Sequence, residues 1–513
     1  MSFNDDEPIV PTDSGTTKVD VPGKVDIVPI KNEEAPLEEN VQNVMLELIG
    51  AELPSKLRRG LDLVVVLDTS KSMTGKKIEN LKIAMKFVIK KLSTVDRMCI
   101  VTFSDVAERH CPLRQITQAC QEELQLLIDN LTAFGNTNIQ DGLETGLKVL
   151  TDRTTTGERD IGIILMSDGK KNKGGDAAEV AIGNVPVYTF GFGEKHDPTV
   201  LSAVAKNSMG GTFSAVQQLD GLSLAFSQCL AGLLTVIVKD LTLTIAPIKD
   251  QSKIKKVTAG SYPQAPGTST DSVTITFNDL YSREVRKVIV DLLLPATKKI
   301  GSPDILMVSY TYRYDGLQLD EPPRFFGINR TGTVDPQAGM PPDLETEVAR
   351  DKTVAMIVEA RILADNDNMD GALDTLVKAQ NNLEDITEQS SPMVDMLRAD
   401  LQKMILLTRS PKLYEEQGRA YALSSEISHN RRRFAARGDV QEMRLFATPR
   451  MDTYLEQAIE FNNDPAMPLP SADDDLKQEI AANPIAPIAR TINYYIQVAI
   501  QALQAIEKVL GNA

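Results

Sequence analysis

Four apolar runs stand out along the chain: LDLVVVL at 61–67, MCIVTF at 98–103, IGIILM at 161–166 and VPVYTF at 185–190. Each is short and nearly free of polar residues, the pattern of a strand buried on both faces. Between the first two, KIENLKIAMKFVIKKL at 77–92 puts Ile78, Leu81, Met85, Val88 and Leu92 on one helical stripe. Strands alternating with helices of this length predict a doubly wound, mainly parallel sheet covered on both sides, spanning 61–232.

The pattern differs on either side. VDIVPI at 25–30 and VQNVMLELIG at 41–50 alternate as half-buried strands, and LTVIVKDLTLTI, DSVTITF, VRKVIVDLLL and ILMVSYTYRY make 233–330 rich in β-strand. We expect an antiparallel, sandwich-like β domain at 233–330 whose missing edge comes from strands in 25–60. From 331 to 462 the apolar spacing returns to three and four, and a helical region follows. The mixed Asp, Glu, Pro, Thr and Gly composition of 1–24 predicts a disordered start. NNDPAMPLPSADDD places a linker at 463–486, and 487–513 contains a last amphipathic helix, PIARTINYYIQVAIQALQAIEKVL. The fold class is therefore multidomain α/β.

Composition narrows the function. A net charge of −16 disfavours nucleic acid as a partner, and the absence of Trp with 5% aromatics argues against a stacking platform. Apolar runs stay short of the roughly 18 residues that span a bilayer, and the polar start MSFNDDEPIV lacks the features of a secretory leader, so we expect no membrane span and a cytoplasmic or nuclear location. Cys99, Cys111, Cys120 and Cys229 form no C-x-x-C pair and only three histidines are present, so zinc has no ligand spacing and reduced thiols are expected.

The first apolar run ends in DTSKSM. Ligands of such sheets bind beyond the carboxyl ends of the strands, where Asp68 falls. Ser70 and Ser72 are two residues apart, so an extended loop turns both hydroxyls the same way. Such a set suits a hard cation such as Mg²⁺. Taken alone, the motif is more simply the cap of the next helix. Two further segments add weight: Thr137 in the GNTNIQDGL turn, and Asp168 in LMSDG at the end of another apolar run.

The D-x-S-x-S, later G-x-T turn and strand-ending S-D-G resemble the metal-ion-dependent adhesion site of von Willebrand factor type A (vWA) domains, which are Rossmann-like. The resemblance implies Mg²⁺ or Mn²⁺ held directly by Ser70 and Ser72, by Thr137 directly or through water, and by Asp68 and Asp168 mostly through water, with a partner's carboxylate completing the shell. Lys71 and Asn136 stand where the family has glycines. A positive φ at 71 would make lysine costly; otherwise its ammonium points to solvent or assists an acidic partner at the rim.

The similarity extends over roughly residues 25–460. TFNDLYSREVRKVIVDLLLPA resembles the β segment, and EQGRAYALSSEISHNRRRFAARGD with FATPRMDTYLEQA the Vwaint region, of plant RING-type E3 ubiquitin ligases of the WAVY GROWTH group. The zinc module of those ligases has no counterpart in this sequence, so the resemblance implies their partner-binding half and no enzymatic activity. Ser70 and Ser72 lack a base for nucleophilic catalysis, since His110, His196 and His429 fall in no triad context. The expected role is an adaptor that holds an acidic group of a protein partner through the cation. The competing role is a metal-independent scaffold binding through the helical region and last helix, in ubiquitin or defence signalling. The sequence leaves the oligomeric state open. Arg431, Arg432, Arg433 and Arg437 are expected on a solvated helix face paired with nearby acids.

Overall fold

Apolar runs become strands here because helices seal both of their faces. The computed structural model describes Phe3 and residues 25–482, apart from 53–57, 158, 219, 268, 270, 315, 335–338, 385 and 387–390. The expected last helix, and the expected disordered start apart from Phe3, lie outside the described residues.

All of Leu61–Asp68 is buried, and since successive side chains point to opposite faces, both faces of this strand are covered. It pairs in parallel with Arg97–Phe103 on one side and Asp160–Ser167 on the other. The sheet continues through Val187–Phe192 to Phe213–Val216, also in parallel. At the opposite edge Ala107–Arg109 and Arg114–Gln115 pair antiparallel with Arg97–Phe103. The sheet is thus mainly parallel, as its pattern predicts. Helices Lys76–Lys91, Gln118–Asp129, Ile139–Thr151, Pro198–Asn207 and Gly221–Leu233 contribute to the same apolar core.

Two antiparallel sheets form the β region. One runs in the order Val25–Ile30, Asn40–Gly50, Val285–Leu294, Lys253–Thr258; the other in the order Gln264–Pro266, Val273–Tyr281, Val236–Pro247, Asp304–Tyr314, Leu317–Gly327. Val44, Leu46 and Leu48 of the first share a core with Leu243, Ile275 and Val308 of the second. Strands that precede the parallel sheet in sequence pair with strands that follow it, since Asn40 lies opposite Leu294 and Ile49 opposite Val285.

Helices Pro342–Asp365, Met369–Asn382 and Pro392–Leu407 pack on one another around Ile357, Leu376 and Leu401. Two features depart from the sequence reading. The segment expected as a linker contains a helix, Ala472–Ala482, that docks on the parallel-sheet unit. Asp475 pairs with the buried Lys91, whose ammonium also donates to the Pro470 carbonyl at 2.6 Å, and Asp473 accepts from Arg58 at 3.0 Å. A buried ammonium is costly without such partners, and that cost holds the Pro-rich stretch in place.

The arginine run is the second departure. Arg431, Arg432, Arg433 and Arg437 are all buried. Arg433 pairs with Glu284 at 3.0 Å, donates to the Gly210 carbonyl at 2.8 Å and lies over the Tyr281 ring. Arg437 donates to both oxygens of Asp400 at 3.0 Å, and Arg432 pairs with Glu347. These side chains join the parallel sheet, the β region and the helices.

Candidate metal centre at the sheet edge

Asp68 and Asp168 end or follow two neighbouring parallel strands, Leu61–Asp68 and Asp160–Ser167. From Leu61–Asp68 the chain proceeds to Arg97–Phe103 on one side and later returns to Asp160–Ser167 on the other. The crevice between the two carboxyl ends is therefore the switch point at which such sheets bind ligands.

The loop after Asp68 is not extended, as the sequence reading had it. Lys71–Met73 form a single tight helical turn, and that turn brings the Ser70 and Ser72 hydroxyls within 2.9 Å of each other. Ser72 donates to Asp168 Oδ1 at 2.6 Å, so the Ser70 hydroxyl must be the donor to Ser72. Lys77, in the first turn of helix Lys76–Lys91, pairs with the other oxygen, Oδ2, of Asp168.

Asp68 is fully buried and accepts from the Ser70 amide at 2.8 Å and from the Ser167 hydroxyl at 2.6 Å. Burial pushes its carboxyl up to about 6, against the lowering effect of the Ser167 and Ser70 hydrogen bonds, and the charge of Asp168 adds to the rise. Thr137 arrives from the third segment. Its amide donates to Asn172 Oδ1 at 2.7 Å, which ties the turn to the loop after Asp168. A Cβ at Gly169 would lie 3.3 Å from both Ser72 Oγ and Thr137 Oγ1, so the missing side chain leaves these two hydroxyls room on one wall.

The two replaced glycines cause no backbone strain. Neither Lys71 nor Asn136 has positive φ; Gly135 takes that conformation, at +74°. The Lys71 side chain is exposed while its amide donates to the Gly135 carbonyl at 3.2 Å, and Asn136 donates to Asp105 at 2.7 Å. Among the expected residues, Ser70, Ser72 and Asp168 are directly linked, Asp68 sits behind them, and Thr137 stands across from Ser72. The sequence reading missed Ser167, Lys77 and Asn172, because each acts through a partner distant in sequence.

The Ser72 and Thr137 hydroxyls open into a cavity of about 650 Å³. Its other wall carries Lys412, Glu415, Glu416 and Arg419, and His196 lines its side. His196 is buried, accounts for one ring nitrogen by a 2.6 Å contact with the Gly193 carbonyl, and is pushed down to about 4 by burial. It is therefore neutral at pH 7. Among the described residues, no group of three or more His, Cys, Asp or Glu is placed to hold a metal. A cation at this edge would depend on hydroxyls and water together with the two aspartates, a set suited to hard ions such as Mg²⁺. Cys99, Cys111, Cys120 and Cys229 are free thiols, and among the described residues no helix is long and apolar enough to cross a membrane.

Residues 62–228 match the von Willebrand factor type A domain family, and residues 391–460 match Vwaint, the VWA / Hh protein intein-like family. The chain is 29% identical over 266 residues to the E3 ubiquitin-protein ligase WAV3 of Arabidopsis thaliana, covering 47% of this chain and 32% of that protein. It is 24% identical over 270 residues to E3 ubiquitin-protein ligase WAVH1 of the same plant, covering 50% of this chain and 35% of that one. The chain thus spans about a third of the length of these relatives. Their names overturn the expectation that the chain is no enzyme, because E3 ubiquitin-protein ligases are enzymes. A solved von Willebrand factor type A protein from Catenulispora acidiphila superposes with a TM-score of 0.59 at 17% identity, covering 79% of this chain and 96% of that one, a likeness of fold. The chain thus carries a match to the vWA domain at 62–228 and to the Vwaint region at 391–460, and over about half of its length it is similar to the WAVY GROWTH-type ligases of Arabidopsis thaliana.

Proposed function

We propose that the crevice captures an acidic group of a protein partner through Mg²⁺ or Mn²⁺. Ser70, Ser72 and Thr137 would hold the ion, with Asp68 and Asp168 acting mostly through water. The observation that carries this reading is the convergence of three sequence-distant segments on one open wall, with hydroxyls in front and carboxylates behind. A bound cation would favour ionised Asp68, whose burial otherwise raises its affinity for a proton. Neutral hydroxyl ligands leave the ion electrophilic, so an incoming carboxylate gains more than it would beside several protein carboxylates.

The vWA unit at 61–232 supplies the ion site in this reading, and the helical region at 331–462 supplies the wall facing it. A ligand must enter between them, which favours a protruding acidic side chain over a flat surface. In this reading such capture would serve ubiquitin ligation, in keeping with the names of the plant relatives, and would take place in the cytoplasm or nucleus. Titration calorimetry with Mg²⁺ and Mn²⁺ tests the metal part. Binding by the wild type that is lost in Asp68→Ala supports it, and no binding by the folded wild type overturns it.

A second reading has partners bind the helical region without metal. It draws on Ile362, Val377 and Leu406, which remain 48%, 43% and 43% exposed on three helices. Capture of a partner that survives EDTA but is lost in Ile362→Glu with Leu406→Glu would favour this alternative.

A further inference from the structure

We propose that Lys77 is a tethered counter-cation for Asp168, which any divalent ion in the crevice must displace, so that this side chain sets the cation affinity of the site. The inference rests on the metal reading given above. Asp168 is completely buried, and its two oxygens face Ser72 and Lys77. A buried carboxylate needs a compensating positive charge, which the ammonium of Lys77 supplies from within the chain.

Two features make this partner displaceable. The Lys77 side chain keeps 24% of its surface exposed, whereas Asp168 has none. Its flexible four-carbon stem lets the ammonium swing to water without backbone movement. The stem runs over Gly193, where a Cβ would lie 3.5 Å from both Cε and Nζ of Lys77, an ordinary contact distance.

The position of Lys77 is otherwise unfavourable. It lies in the first turn of a 16-residue helix, where the positive end of the dipole disfavours a cation. The ion pair with Asp168 compensates for this placement. An incoming divalent ion would find its carboxylate already neutralised and would meet repulsion from the ammonium, so affinity falls by the strength of the internal pair.

Calorimetric titration and thermal melting of Lys77→Gln and Lys77→Arg beside the wild type test the proposal. Lys77→Gln is expected to bind Mg²⁺ at least tenfold more tightly. It should melt below the wild type in EDTA, with the gap closing at saturating Mg²⁺. Lys77→Arg, which keeps the charge, should bind Mg²⁺ no more tightly than the wild type and provides the comparison if the glutamine variant does not fold. Equal or weaker Mg²⁺ binding by Lys77→Gln, or tighter binding by Lys77→Arg, overturns the role of the lysine alone. Absence of binding in the wild type overturns the metal reading, and absence in both variants as well overturns the role of the lysine along with it.

Discussion

Asp168 and Asp400 are both fully buried carboxylates, yet their surroundings differ in kind. Asp168 is held by one hydroxyl and by a lysine that is partly in water. Asp400 receives the Arg437 fork, the Tyr421 hydroxyl at 2.6 Å, the Ser425 hydroxyl at 2.7 Å and His429 at 3.1 Å, all from buried side chains. Burial alone would raise the Asp400 carboxyl; Arg437 and His429 instead hold it well below the usual carboxylate range. One acid is placed where its partner can leave, and the other where no partner can leave without opening the protein. The first arrangement suits exchange with a ligand. The second suits assembly, because Arg431–Arg437 tie the helices to the parallel sheet and the β region.

The contrast breaks most sharply at Asp400. Asp400→Ala leaves Arg437 buried without its acid and is expected to cost about 3–5 kcal/mol, read by urea denaturation. An effect as small as a surface substitution would mean that the buried network is dispensable.

A pH titration comes next in size. Burial pushes His429 down to about 4, despite the opposing pull of Asp400. Its folded value is therefore below the roughly 6.5 of an unfolded histidine, and between these values the unfolded chain binds the extra proton. Stability is present above about pH 6.5 and is lost as pH falls toward 4, by about 3 kcal/mol from this residue. His196 has the same sign. Denaturation midpoints should fall across that interval, and less so in His429→Gln.

Lys71→Gly is the smallest change. The side chain is exposed and its backbone unstrained, so stability should fall by no more than about 1 kcal/mol through added chain entropy. Mg²⁺ affinity should stay within about twofold in calorimetry if that ammonium has no part in the site. A large gain in affinity would move the controlling charge from Lys77 to Lys71.

The α/β character was legible because covered parallel strands must be apolar almost throughout, and VVVL and IIL announce that directly. The site was legible in its polar residues, since D-T-S-K-S and M-S-D-G interrupt apolar runs at strand ends. Its inner contacts were not. Ser167 belongs to the same strand-ending segment, but nothing local says that its hydroxyl reaches Asp68, 99 positions away. The arginine run misled for a related reason. A cluster of charge usually remains in water, and only partners as remote as Glu284, Glu347 and Asp400 allow it to be buried. The docked helix at 472–482 follows the same logic, as Asp473 and Asp475 look like linker residues until Arg58 and Lys91 meet them.

The sequence by itself determined the periodicities, and with them the covered parallel sheet, the antiparallel strands, the helices and the acids and hydroxyls at the strand ends. These are local consequences of side-chain pattern and backbone preference. Tertiary structure alone decided which charges are exchangeable and which are sealed. The cost of burying an ion depends on the partners that surround it, and in this protein those partners come from segments far apart along the chain.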